Sequence, residues 1–336
     1  MIKEAIEKVK KRIDLSESEI EAVFTEIMSG KADTDTIASF LVSLKDKGEC
    51  IDEITGAARI MREFATKINT GRPKLLDTCG TGGDSSGTFN ISTVSAFVVA
   101  GAGCSVAKHG NRAVSSKAGS ADLLEKLGVN INVEAEVAQK CIDQIGIGFL
   151  FAPTLHTAMK YAMPARRMIK SRSIFNILGP LTNPAGARYQ MLGVYDDRLV
   201  DTLANVLKNL GSLSAMVVHG TDGMDEITTT GATHVAELKD NNVRSYVLNP
   251  VDMGLTLAKA KDLKGGDAEM NAGIAVSLLT GDNGPKRDIV TLNAGAAIYV
   301  MGEAESIKDG MVMAAESIDS GKALEKLERL KELTNK

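Results

Sequence analysis

The sequence predicts an α/β protein in two parts: a small helical domain over residues 1–70 and a larger α/β domain over 71–336 with a mainly parallel central sheet. Three observations predict it. Apolar residues through Ile68 recur at helical spacing. Asn69-Thr70-Gly71-Arg72-Pro73 then breaks the pattern, as a hinge or linker does. Beyond it, short apolar runs bounded by glycine alternate with longer helical patterns, the grammar of a parallel sheet.

The elements follow in order. Ser16-x-x-Glu19 is a capping box, and Ile20, Val23, Phe24 and Ile27 follow it at helical spacing before Gly30. Ile37, Phe40, Leu41 and Leu44 form a second stripe closed by Gly48, and Ile54, Ala57, Ala58 and Met61 a third. Three or four short antiparallel helices result. Strands are expected at Lys74–Asp77, Ser105–Ala107, Ile147–Phe151, Gln190–Tyr195, Ala215–Val218 and Val243–Leu248. Helices are expected around 90–101, 120–127, 134–144, 197–210, 267–280, 287–301 and 308–333. Met163 to Pro184 reads as helix and turn, and part of 163–185 is expected to return to the N-terminal helices and complete the small domain.

Composition narrows the function. A net charge of -4 argues against a broad nucleic-acid surface. No apolar run reaches the ~18 residues of a membrane span. Cys50, Cys79, Cys104 and Cys141 are far apart with no C-x-x-C pair, which points to reduced thiols in a cytoplasmic protein. Met1-Ile2-Lys3-Glu4 opens a charged amphipathic helix, unlike a signal peptide.

Four segments carry chemistry. Asp77-Thr78-Cys79-Gly80-Thr81-Gly82-Gly83-Asp84, continued by Ser85 to Thr93, lies between an apolar run and a helix start. Small residues there let backbone N–H groups approach an anion, and the helix N-terminus adds donors. No Gly-Lys-Ser/Thr follows, so it is not a Walker loop; alone, it also fits a tight strand-to-helix connection. Lys108 to Ser120 holds two lysines, an arginine, three serines and two glycines after an expected strand, and suits a polyanion such as a diphosphate. His219 to Ile227 places Asp222, Asp225 and Glu226 at a strand end, where a cation such as Mg²⁺ would relieve their repulsion. Arg166, with Arg172 six residues on, could offer a bidentate grip for a carboxylate, although from the residues alone a helix-surface arginine is the better reading. No nucleophile set accompanies them, which favours chemistry by positioning and charge stabilisation.

With these residues the chain resembles the anthranilate phosphoribosyltransferase family. The resemblance rests on Gly80 to Asp84, Gly87 to Thr93, Lys108 to Ser120, Ile174 to Pro184, Asp222 to Ile227, Gly265-Gly266-Asp267, Gly284-Pro285-x-Arg287-Asp288 and Leu292-Asn293-Ala294, and spans essentially the whole chain. It implies a nucleoside-phosphorylase/phosphoribosyltransferase-type fold with a hinged small domain, and a homodimer associating through that domain. It implies transfer of phosphoribose from 5-phosphoribosyl 1-diphosphate to the amine of anthranilate. Gly80, Gly83, Asp84, Thr88, Asn90, Ser92, Thr93, Lys108, Ser116 and Ser120 would then line the phosphoribosyl diphosphate site. Ser92, Asp225 and Glu226 would hold Mg²⁺. Gly80, His109, Asn111 and Arg166 would face anthranilate, with His156 and Tyr161 on its entry path; Lys108, Asn111 and Arg166 are the catalytic candidates. Two readings from other classes remain beside it: a pyrimidine-nucleoside phosphorylase of the same fold, and a non-catalytic relative that binds nucleic acid. The chain departs from the family pattern at Arg167-Met168-Ile169-Lys170, where Arg-x-Glu-Leu-Gly is usual, and at Met224 and Thr157.

Overall fold

The computed structural model describes residues 1–113 and 117–336. Four helices open the chain: α1 (Ile2–Lys10), α2 (Glu17–Met28), α3 (Thr34–Lys47) and α4 (Ile51–Phe64). The capping box starts α2 as its spacing predicts: Glu19 N–H donates to Ser16 Oγ, and Ser16 N–H returns a bond to the Glu19 carboxylate. Asp33 accepts from Thr36 N–H to start α3, and Gly48, at φ 88, ends it.

The sheet follows, with β1 (Leu76–Gly80), α5 (Ile91–Gly101), β2 (Val106–Gly110), α6 (Ser120–Lys126), α7 (Ala135–Ile145) and β3 (Ile147–Phe151). Short helices α8 (Ala152–Leu155), α9 (Met163–Ile169) and α10 (Phe175–Leu178) lead to β4 (Tyr189–Gly193), α11 (Leu199–Asn209) and β5 (Ser214–Gly220). Then come β6 (Thr233–Lys239), β7 (Asn242–Leu248), α12 (Ala268–Leu279), α13 (Pro285–Val300), α14 (Ile307–Asp319) and α15 (Lys322–Thr334). Strand order is β3-β2-β1-β4-β5-β6-β7. Pairing is parallel from β3 through β5 and antiparallel from β5 to β7.

Alternation along the central strands fills two cores. Met191, Met216 and Val218 face α5, α13 and α14, whereas Leu192, Ala215 and Val217 face α11 and the N-terminal helices. That second core also takes in Ala162, Ala165, Ile174, Phe175 and Leu178, with Phe24 and Phe175 ring centroids 5.6 Å apart. Arg62 Nε donates to Leu181 O at 2.7 Å, tying α4 to the same return segment.

Some expected elements need correction, beginning with β1, which runs Leu76–Gly80 rather than Lys74–Asp77 and so takes in the first residues of the glycine turn. Strand β6 has no counterpart in the sequence reading: His234 and Glu237 interrupt its few apolar residues, and its hairpin turns on Asp240-Asn241, both at positive φ, without the usual glycine. The single helical stretch at 308–333 is two helices, broken at Ser320-Gly321, where Gly321 takes φ 74.

Candidate active site

Strands β2, β1, β4 and β5 all end on glycine at one edge of the sheet, at Gly110, Gly80, Gly193 and Gly220. The chain leaves β1 towards β2 on one side and returns to β4 on the other. That reversal is where open α/β sheets bind ligands. Gly80 and Gly193 are register partners, and both must lack a side chain. A Cβ on Gly193 would lie 1.6 Å from the Asp225 carbonyl oxygen, and one on Gly80 2.5 Å from Asp225 Oδ2. The acidic turn therefore rests directly on the paired strand ends. Gly193→Ala should push that turn away: overpacking against backbone costs about 1–3 kcal/mol. The expected result is a melting temperature lower by a few degrees and a raised Mg²⁺ requirement, read by thermal melts and a Mg²⁺ titration of the rate.

Backbone donors hold the acids in place. Asp225 Oδ2 accepts from Gly82 N–H at 2.9 Å, and Glu226 Oε1 from Ser92 N–H at 3.0 Å, on the first turn of α5. Asn293 clamps the next residue, accepting from Ile227 N–H at 3.0 Å and donating to Ile227 O at 2.8 Å. Burial raises the pKa of Asp225 and of Glu226, and repulsion adds to it, from Asp84 on Asp225 and from Asp225 on Glu226. Asp222, expected to share a cation with them, turns its carboxylate elsewhere. Its carboxylate is spent inside the turn on Thr228 Oγ1, Thr230 Oγ1 and Met224 N–H. Asp84 is the third acid beside the pair instead.

Lys108 and His109 belong to β2, not to the loop after it, because the ladder with β3 runs on to Gly110. The Lys108 side chain is 4% exposed. Its Nζ donates to Thr78 O and lies 3.5 Å from Ser92 Oγ. Burial lowers its pKa, while Asp77 and Glu226 pull it back up. Asp77 itself accepts from His109 N–H at 3.1 Å and from Asn183 Nδ2 at 2.9 Å. It is fully buried, and burial pushes its pKa up to about 6.

The remaining candidates divide. Asn90 donates to Ala118 O and accepts from Asn271, Ser120 Oγ donates to Asn111 O, and Thr88 bridges to Lys264. The Asn90–Ala118 bond joins the first two motifs, and the Asn271 and Lys264 contacts bring residues 264–271 against the first. Thr93 is 1% exposed, beneath the surface of α5. Arg112 is neutralised by Asp122 and Glu125, so it adds no free charge for an anion. Ser116 lies outside the described residues. His109 is buried with its ring centroid 5.0 Å from that of His156, and burial takes the two pKa values down to about 3 and about 4. Arg166 stands apart from this cluster: it lies over the Phe175 ring at 5.4 Å, and no acid among the described residues pairs with it.

A cluster of oxygen donors of this kind suits Mg²⁺, which takes one or two carboxylates and keeps its waters. The grouping among the described residues whose ligand atoms already close around a point is a different one, Asp14, Cys50 and Glu53. Lys47 neutralises that cluster through both carboxylates.

Comparison with known proteins gives the family and supports the fold. Residues 72–324 match the glycosyl transferase family a/b domain, and residues 3–65 its helical bundle domain. The anthranilate phosphoribosyltransferase of Symbiobacterium thermophilum is 52% identical over 335 residues, covering 100% of this chain and 98% of its own. The chain belongs to the anthranilate phosphoribosyltransferase family. It is thus an enzyme that transfers glycosyl groups. The crystal structure of the Thermus thermophilus enzyme superimposes with TM-score 0.94 at 42% identity over 99% of both chains. The Saccharomyces cerevisiae enzyme in complex with PRPP and Mg gives TM-score 0.91 at 28% identity over 99% of this chain and 98% of that one.

Lys170, in the segment where the sequence departs from the pattern it resembles, takes a left-handed backbone at φ 46. A lysine there carries strain that a glycine would not. Sequence reasoning missed Gly193, and it gave Asp77 and Asn183 no role of their own although both lay in segments it singled out. Nothing local marks Gly193, whereas Asn293 sat in a motif already noted.

Proposed function

We propose that this chain transfers phosphoribose from 5-phosphoribosyl 1-diphosphate to the amine of anthranilate, releasing diphosphate, as its family does in tryptophan biosynthesis. The observation that carries the reading is the docking of Asp225 on Gly82 N–H and of Glu226 on Ser92 N–H, which draws the glycine turn, the α5 N-terminus and the acidic turn together. Asp225, Glu226 and the Ser92 hydroxyl are the groups that would hold Mg²⁺; bound there, it supplies positive charge against the departing diphosphate. Lys108 adds a fixed positive charge below the same point. Backbone N–H groups of the turn and of α5 orient the phosphates. Anthranilate's amine is neutral at pH 7, so the acceptor needs no strong base, and Arg166 and Asn111 orient its carboxylate.

The two-part organisation completes the reading. Residues 1–70, with part of 163–185, form a small domain that closes on 71–336 and excludes water from the activated ribose. What supports a hinge is that the two crossings run side by side, with Ile68 N–H donating to Pro184 O at 3.1 Å. A small-domain homodimer fits a groove of 590 Å³ between α1, α3 and α9, where Val42 and Met168 are exposed; sedimentation velocity reads the mass. Four free thiols agree with a cytoplasmic setting. No described helix is long and apolar enough to cross a membrane.

The test mixes purified protein with 5-phosphoribosyl 1-diphosphate, Mg²⁺ and anthranilate, and follows anthranilate fluorescence and diphosphate release together. Matched, Mg²⁺-dependent changes support the reading; diphosphate release without loss of anthranilate reopens the acceptor. Arg166→Ala should raise KM for anthranilate about 10–100-fold, the worth of a charged hydrogen bond, with KM for phosphoribosyl diphosphate little changed. Equal KM values in variant and parent would remove Arg166 from the site.

A further inference from the structure

Arg172, noted in the sequence only as a neighbour of Arg166, touches the glycine turn. It lies between α9, which carries Arg166, and α10. Its Nη2 donates to Gly83 O at 2.6 Å, and its guanidinium carbon sits 3.8 Å from the Tyr195 ring centroid. No acid among the described residues pairs with it. Tyr195, just beyond β4, donates its backbone N–H to Thr81 Oγ1 at 3.0 Å. Gly83 has φ 78, and a Cβ there would lie 2.9 Å from Arg172 Nη2, so the turn and the arginine are fitted to each other. One side chain thus fastens the segment that follows Arg166 to the turns after both β1 and β4. A planar guanidinium suits that double contact: one face stacks on the ring while an edge N–H reaches the carbonyl.

We infer that Arg172 is a positioning residue that couples the two substrate sites, so that an occupied glycine turn fixes the α9–α10 segment, and with it Arg166, for the acceptor. The inference rests on the proposed transferase reading. Coupling of this kind is reciprocal: each substrate lowers the apparent KM of the other by the same factor where KM reports binding. Its pieces are exposed enough for substitution without loss of the core.

The test is a two-substrate kinetic matrix, varying phosphoribosyl diphosphate and anthranilate at saturating Mg²⁺. The full-length parent should show each substrate lowering the KM of the other, about tenfold, within the usual range for coupled sites. Arg172→Ala should abolish that factor with kcat changed less than about twofold, and Arg172→Lys should not restore it, since an ammonium cannot both stack and reach. Tyr195→Leu should reproduce the loss, and the double variant should be no worse than either single one, the signature of a shared interaction. An unchanged factor in Arg172→Ala, or additive losses in the double variant, would overturn the inference. No Mg²⁺-dependent anthranilate consumption by the parent would instead overturn the transferase reading.

Discussion

Replacing Asp225 with Asn and Glu226 with Gln together should lower kcat about 10²–10³-fold, the scale seen when a preorganised electrostatic partner is removed, and should raise the Mg²⁺ concentration needed for half-maximal rate. The substitutions keep shape and one oxygen each. The Gly82 and Ser92 N–H groups therefore retain an acceptor, and the turn stays docked on Gly80 and Gly193. Two negative charges are lost, and with them the means of holding a cation among oxygen donors. Circular dichroism should show an unchanged fold. An unaltered rate and Mg²⁺ requirement would take both carboxylates out of the site.

Lys108→Met should cost both stability and rate. Removing one member of a buried charge set leaves the other uncompensated, at about 3–5 kcal/mol. Asp77 is that member: fully buried, with a pKa already raised to about 6 and Lys108 among the groups holding it down. Without the lysine, its folded-state pKa rises further. A carboxyl whose folded pKa lies above its unfolded value favours the folded state below that range and loses the advantage as pH rises through it. The melting-temperature deficit of Lys108→Met should therefore be largest at pH 7 and should narrow towards pH 5. The rate, measured where the variant is fully folded, should fall about 10²–10³-fold, because a charge positioned near Ser92 and Glu226 is gone. A stability loss with an unchanged rate would leave Lys108 a purely structural residue.

Much of the fold was legible because its signals are local. The Ser16–Glu19 box and the stripes of α2 to α4 each concern residues within a few positions of one another. Buried parallel strands show as short apolar runs between glycines, and β3 and β5 appear where such runs predict them. Strand β6 escaped because Val235, Ala236 and Leu238 neither alternate cleanly nor form an unbroken run, being interrupted by His234 and Glu237, and its pairing partners lie elsewhere in the chain on β5 and β7. Lys108 and His109 looked like loop residues because a pair of polar side chains resembles a strand end; only the ladder to β3 shows the strand continuing.

By itself the sequence determined the two-part architecture, the glycine turn at the head of α5 and the acidic segment after β5, because turn chemistry and hydrophobic period are written in neighbouring residues. The tertiary structure alone decided which carboxylates meet. Asp222 turns inward to Thr228 and Thr230, while Asp84 crosses from another motif to lie beside Asp225. It also decided that Gly193 must be glycine, that Asp77 shares a buried field with Lys108, and that Arg172 grips Gly83. Each of these depends on which strand ends are neighbours. That order is set by how the two faces of the sheet are covered, a property of the whole chain that no local pattern contains.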